Sequence, residues 1–228
     1  MGLKPYSDEI TDRLTGRHEL SARLAAEQSP ARRILDVGCA GGWFESLCAD
    51  RLQSRLDGID TRADMLERAR RDAPHASYTT ASVFALPFSE GTFDGAVMFE
   101  VIEHVPRHTE LAALREVRRV LTQGGWLLLS TPFAHPAAAL LDPAWYVGHR
   151  HYTRARILSL VGAAGFRPRN SIVRGGFWEL GGVNALYIFK WLLNAEAPLK
   201  DLVERHRAQE FLADREGISN IFVQAVAA

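Results

Sequence analysis

The feature that most constrains this chain is an alternation. Short apolar runs stand at "RRILDV" (32–37), "RLDGID" (55–60), "ASYTT" (76–80), "FDGAVMFE" (93–100) and "GWLLLST" (125–131). Between them lie stretches with helical spacing at 42–52, 63–72 and 108–121. Runs of the first kind read as strands, and strand–helix–strand repetition builds a parallel sheet covered by helices on both faces. After Pro132 the pattern changes. Residues 133–152 read as a long loop with a short helix. Thr153 is placed to cap a helix through about Ala164, with Gly165 after it. A strand at 166–175, helices at 177–194 and 198–213, and a last strand at 219–227 complete the reading.

At 228 residues the chain is most simply one domain with a proper core. We divide it into an N-terminal helical cap (1–30), a core (31–132) and a half that carries the sheet edge and inserted helices (133–228). Formal net charge is zero and the sequence pI is about 7.1, which argues against nucleic acid as a partner. The first thirty residues hold no apolar signal core, and Cys39 and Cys48 read as small buried thiols. Both point to the cytoplasm. The longest apolar run, 177–194, is broken by Glu179 and Lys190 and is too short to span a bilayer.

Between the first strand and its helix lies "DVGCAGGWF" (36–44). Small residues there let backbone N–H groups approach a ligand and let the helix start tightly. In an open parallel sheet this is where ligands bind. A dinucleotide site wants G-x-G-x-x-G, and the spacing here is G-x-x-G-G. Asp60 ends the second strand, where an acid can accept hydrogen bonds from two ribose hydroxyls. Asp36, just before the loop, attracts an ammonium and repels a pyrophosphate. Together these describe a nucleoside cofactor that carries an amino group.

"ILDVGCAGGWF", "GIDTRADML", "ASVFALPFSEGTFDGAVMFEVIEHV" and "LTQGGWLLLSTP" together resemble the successive motifs of class I S-adenosylmethionine-dependent methyltransferases. The likeness leans to the small-molecule branch that includes the ubiquinone-biosynthesis O-methyltransferases. It is strong over 32–132 and fades beyond. It implies a doubly wound α/β fold with a mostly parallel seven-stranded sheet, strand order 3-2-1-4-5-7-6 and the last strand antiparallel. It also implies cofactor roles. Gly38, Ala40 and Gly42 line the methionine part, and Asp36 steers its amino group. Asp60, followed by Thr61, binds the ribose. Ser82 and Val83 meet the adenine, and Phe99 and Glu100 close the methionine side. Arg17 or Arg13 is a further candidate for the cofactor carboxylate.

Methyl transfer from a sulfonium gains much of its rate from alignment, but an acceptor hydroxyl must also lose a proton. In "EVIEHV", a helical turn would set Glu100, Glu103 and His104 on one face, where they could hold a divalent cation; the resemblance extends to metal-dependent quinone O-methyltransferases. The other reading makes His104 a general base or a turn residue and leaves Glu103 solvated. His149, His151 and Tyr152 in "YVGHRHYT" are a second set of proton-transfer groups, and loop packing is their alternative role. The aromatic stretch 177–194 suits a lid over an apolar acceptor, a homodimer interface, peripheral membrane contact or plain core. A non-enzymatic cofactor-binding protein and a nicotinamide-dependent oxidoreductase are the competing functions.

Overall fold

A computed structural model describes residues 16–28, 30–136, 138, 150–182 and 200–228. The elements run α1 (Gly16–Ala26), β1 (Arg33–Val37), α2 (Trp43–Cys48), β2 (Arg55–Asp60), α3 (Ala63–Asp72), β3 (Ser77–Thr80), β4 (Phe93–Phe99), α4 (Glu110–Val120), β5 (Leu121–Pro132), α5 (Arg154–Ala163), β6 (Phe166–Arg174), α6 (Lys200–Leu212) and β7 (Asn220–Ala227). Seven strands form one sheet in the order β3-β2-β1-β4-β5-β7-β6. β3, β2, β1, β4 and β5 are mutually parallel, and β7 runs antiparallel to both β5 and β6. This is the expected architecture. The 133–228 half supplies β6 and β7 to the same sheet.

Alternation along each strand sends side chains to two cores. Leu35, Val37, Ala96, Met98, Leu127 and Leu129 face one, together with Ala113, Leu114 and Val117 of α4 and Ile157 and Val161 of α5. Ile34, Leu56, Val97 and Leu128 face the other, with Leu20 and Leu24 of α1, Phe44 and Cys48 of α2 and Phe211 of α6. Asp36 shares the parity of Ile34, so the strand points it toward α2. In α4, buried Ala113, Leu114, Val117 and Val120 form one stripe, and Arg118 and Arg119 in the last turn complement the helix dipole. Thr153 caps α5 as its sequence position suggests: its Oγ1 accepts the Arg156 N–H at 3.2 Å.

Several boundaries differ from the sequence reading. Of the N-terminal helix expected over 8–28, α1 holds Gly16–Ala26, and residues 1–15 lie outside the described set. α2 stops at Cys48. β5 begins at Leu121, immediately after α4, because Leu121 pairs with Phe93 ahead of a bulge. The expected 177–194 helix is helical over 177–182, where Phe177 and Trp178 are exposed; Tyr187, Phe189 and Trp191 lie outside the described residues. No described helix is long and apolar enough to cross a membrane.

The chain leaves β1 toward β3 on one side and returns to β4 on the other. The strand order therefore reverses between β1 and β4, and this opens a crevice at their carboxyl ends. Gly95 of β4 is needed for the sheet to close here: a Cβ on it would lie 2.4 Å from the Trp126 ring. Gly95→Ala should destabilise the fold by ~2 kcal/mol through overpacking. For a chain of this size that is a fall of about 4–8 °C in Tm, read by thermal unfolding. Adding Trp126→Leu should recover part of the loss, since the two changes share one contact.

Candidate active site

The loop after β1 is held in a shape that few side chains allow. Gly38, Ala40 and Gly42 have φ of +77°, +46° and +79°. A Cβ on Gly38 would lie 2.5 Å from Val101 Cγ2, and one on Gly42 would lie 2.9 Å from the Ala69 Cβ. Ala40 has no such freedom and carries left-handed backbone strain of about 1–2 kcal/mol. Among described non-glycine residues, only Ala40, Glu100 and His108 have positive φ. Two of these three sit at the ends of β1 and β4, where the crevice lies; functional sites are where such strain collects.

Asp60 is the strut of this loop. Its Oδ2 accepts the Ala40 N–H at 3.0 Å, and its Oδ1 accepts the Arg62 N–H at 2.9 Å. Each carboxylate oxygen keeps a lone pair, so one side chain can shape the loop and still receive hydroxyl donors. Thr61 beside it is exposed. On the next loop Ser82 Oγ accepts the Phe84 N–H at 3.3 Å, and Val83 is buried in the larger core with Leu86.

Beneath the loop, three buried carboxyl oxygens have no hydrogen-bond partner among the described residues. Asp36 is buried and its Oδ2 lacks a hydrogen bond; Glu45 of α2 is fully buried with neither oxygen bonded. Burial, then the nearby Glu45 and Asp60 charges, push the Asp36 carboxyl well above the usual carboxylate range. Burial pushes Glu45 up to about 8. Orphaned buried acid at the base of a left-handed loop fits a ligand that brings a cationic group. Sequence reasoning found Asp36 and missed Glu45, although Glu45 is the one charged residue in the apolar helix "WFESLC".

At the end of β4, Glu100 joins four elements. Its Oε1 accepts from Ser130 Oγ of β5 at 2.6 Å, and its Oε2 accepts from Asn220 Nδ2 of β7 at 2.8 Å and from Arg17 Nη1 of α1 at 2.9 Å. Phe99 packs on Trp43 and Phe44 with ring centroids 5.5 and 5.6 Å apart.

The metal set proposed from E-x-x-E-H is not formed. Residues 102–104 make a turn rather than a helix, and the three groups part company. Glu100 is committed to Ser130, Asn220 and Arg17. Glu103 is buried rather than solvated, with Oε2 accepting from Thr131 Oγ1 at 3.0 Å and Oε1 unbonded. His104 is exposed. Among the described residues no three His, Cys, Asp or Glu side chains are arranged to hold a metal ion. Burial, and then the Glu100 charge, raise the Glu103 carboxyl well above its usual range.

In the "HRH" stretch, Arg150 reaches the 102–105 turn. It donates to the carbonyls of Ile102 (2.8 Å), Glu103 (3.1 Å) and Val105, and to Glu110 Oε1 (2.5 Å), and so pins the 102–105 turn. Tyr152 is buried, and its hydroxyl donates to the Ile102 carbonyl at 3.2 Å. His151 is half-buried, and His149 and Arg13 lie outside the described residues. Nothing in the spacing of "HRH" distinguishes the arginine, because its partners are carbonyls some 45 positions earlier.

A profile of the methyltransferase domain family matches residues 34–125, the span from β1 to the middle of β5. The ubiquinone biosynthesis O-methyltransferase of Xanthomonas oryzae pv. oryzae is 31% identical over 188 residues, covering 80% of this chain and 68% of that one. The enzyme of the same name from Xanthomonas campestris pv. campestris is 36% identical over 127 residues; the match spans about half of each, 54% of this chain and 51% of that one. Among solved structures, the N-methyltransferase NodS of Bradyrhizobium japonicum, in complex with S-adenosylhomocysteine, superposes with a TM-score of 0.63. That superposition covers 92% of this chain and 85% of NodS, and at 18% identity it is a likeness of fold. The chain belongs to the class I S-adenosylmethionine-dependent methyltransferases. Members of that family take their methyl group from S-adenosylmethionine.

Two predictions follow from this geometry. Asp60→Ala removes the strut of the glycine loop and should weaken S-adenosylhomocysteine binding by about 30-fold or more, ~2 kcal/mol. Calorimetric titration reads this, and unchanged affinity would remove Asp60 from the site. The second concerns His18 of α1, whose ring lies 4.4 Å from that of Trp43. Burial, then the Arg17 and Arg207 charges, lower His18 to about 3 from its ordinary 6.5. The unfolded chain therefore binds a proton here that the folded chain refuses. Stability present above about pH 6.5 is lost as pH falls toward about 3, by up to about 1.4 kcal/mol per pH unit. Denaturant unfolding of His18→Phe across this window should show a shallower decline than the unsubstituted chain.

Proposed function

We propose that the protein transfers a methyl group to a hydroxyl oxygen of a small, largely apolar acceptor. The observation that carries this reading is the 188-residue relationship to an enzyme whose name states O-methylation, because it runs beyond the shared cofactor core into the acceptor-side half. In this reading Gly38, Ala40 and Gly42 bring backbone against the methionine part of the cofactor, and Asp36 attracts its amino group. Asp60 and Thr61 take the ribose, Ser82 and Val83 flank the adenine, and Phe99 and Glu100 close the methionine side. Arg17, which donates to Glu100, is the candidate for the cofactor carboxylate. When bound, S-adenosylmethionine supplies an electrophilic methyl on a sulfonium.

The acceptor's proton then falls to the protein. His104 lies on the turn that follows Glu100, and Arg150 holds that turn against α4, so an exposed imidazole is presented from a fixed backbone. His149 and His151 flank Arg150 and are the second proton-transfer candidates. Two free, buried cysteines fit a cytoplasmic setting. The test is methyl transfer to a panel of catechols, with and without a prenyl tail, beside amines of matched size. A methylated hydroxyl is the expected product, and methylation confined to the amines would overturn the choice of atom. His104→Ala should cut turnover by about 10²–10⁴-fold and leave S-adenosylhomocysteine binding unchanged. Cofactor binding with no product from any acceptor would favour the non-enzymatic reading.

A further inference from the structure

The buried acids beneath the glycine loop are more than the cofactor's amino group needs. β1 and β2 pair in parallel with Asp36 opposite Gly58. A Cβ on Gly58 would lie 2.7 Å from Glu45 Oε1 and 2.8 Å from Cys39 Sγ. The Glu45 carboxyl thus occupies the space that a side chain at position 58 would fill. Neighbouring strands lie about 4.8 Å apart, so Glu45 and Asp36 are side by side on the α2 face of the sheet. Asp36 Oδ2, Glu45 Oε1 and Glu45 Oε2 all lack hydrogen-bond partners among the described residues.

The described charges that act on Asp36 are those of Glu45 and Asp60, both negative. Arg68 of α3 lies against the loop at Gly41, its Nε 3.4 Å from where a Cβ there would stand, and donates to Asp72 at 3.2 Å. Cys39 of the loop and Tyr78 of β3 are both pushed up by burial, and Cys48 of α2 is pushed up to about 12, so all three stay neutral near pH 7. The Tyr78 hydroxyl donates elsewhere, to the Ala73 carbonyl at 3.1 Å. Asp60 of β2 adds a third negative charge to the field on Asp36. Asp72 of α3 acts on Tyr78, and Arg51 and Glu19 act on Cys48. His75 Nε2 lies 3.1 Å from the Glu45 carbonyl oxygen, on its backbone rather than its carboxyl. Two adjacent carboxyls in such a place do not both ionise, and a single proton between them relieves the repulsion.

We infer that Asp36 and Glu45 act as one pair that holds a proton in the cofactor-free enzyme and releases it to solvent when the ammonium end of the cofactor arrives. The inference rests on the reading of Asp36 as the partner of that ammonium. The charges balance: the pair carries one negative charge with its proton, and the entering cation compensates the second. Glu45 is thereby a cofactor-affinity residue that need not touch the cofactor. Binding tightens as pH rises through the range where the free pair titrates. The ligand's own amine acts in the opposite sense at higher pH, so the two contributions are separable by sign.

The experiment is calorimetric titration with S-adenosylhomocysteine between about pH 6 and 7.5, in buffers of different ionisation enthalpy. The dependence of the observed heat on buffer counts the protons released. The expected count is roughly one half to one per site, with affinity rising by up to tenfold per pH unit. Methylthioadenosine, which keeps the nucleoside and lacks the amino-acid end, should bind without release. Glu45→Gln should bind S-adenosylhomocysteine with release near zero and a flat pH profile, and His75→Asn should release as the unsubstituted chain does. Tight binding without release overturns the proposal. So does release that survives Glu45→Gln, or equal release with methylthioadenosine. If Glu45→Gln does not fold, the comparison of the two ligands on the unsubstituted chain decides. No binding of S-adenosylhomocysteine at all is a different failure: it removes the glycine loop as the cofactor site, and the proposal falls with it.

Discussion

The Glu100 carboxylate is the contact on which the working end of this molecule depends. It follows the last residue of β4, in left-handed backbone, and its two oxygens gather Ser130 of β5, Asn220 of β7 and Arg17 of α1. Those three partners come from parts of the chain that share no local sequence. A charge-assisted hydrogen bond is roughly twice as strong as a neutral one, and here three converge on one side chain. The result fixes where α1 lies against the carboxyl edge of the sheet. It also brings Arg17 to the end of β4 and sets His18 against Trp43 at the start of α2. The C-terminal half is tied in through the same point, since α6 packs on α1 closely enough that a Cβ on Gly16 would overlap Ala208.

Charge is distributed unevenly around that edge. Asp36, Glu45, Asp60, Glu100 and Glu103 all lie at or behind the ends of β1, β2 and β4. Their described partners are mostly neutral donors: Ser130, Asn220, Thr131 and backbone amides, with Arg17 as the cation on Glu100. Burying acids costs folding free energy unless something is gained. A cationic ligand gains from such a field, and a pyrophosphate is repelled by it. The expected metal set is not formed, because Glu100 spends both of its oxygens on assembly.

Much of the fold was legible in the residues. The apolar runs became β1 to β5 nearly where they stand, Thr153 capped its helix, and Asp60 appeared at the end of β2. These features are local: period-two alternation, capping chemistry and strand length act over a few residues. Misreadings cluster where a distant partner overrides local pattern. Leu121 looked like the end of a helix and is a strand residue because Phe93 pairs with it. The helical turn that would have gathered the acids of "EVIEHV" is instead a turn pinned by Arg150. Glu103 looked solvated and is buried against Thr131.

By itself, then, the sequence determined the layer order of the domain, the glycine loop and the two acids at the strand ends, because backbone sterics and short-range periodicity select them. Only the tertiary structure decided which carboxyls pair and which stand alone. It placed Glu45 over Gly58 beside Asp36, turned Glu100 into a joint between four elements, and made Arg150 a support of the 102–105 turn. Charge–charge and hydrogen-bond energies depend on burial and on separations of a few ångströms. Those quantities exist only once residues far apart in the chain have been brought together.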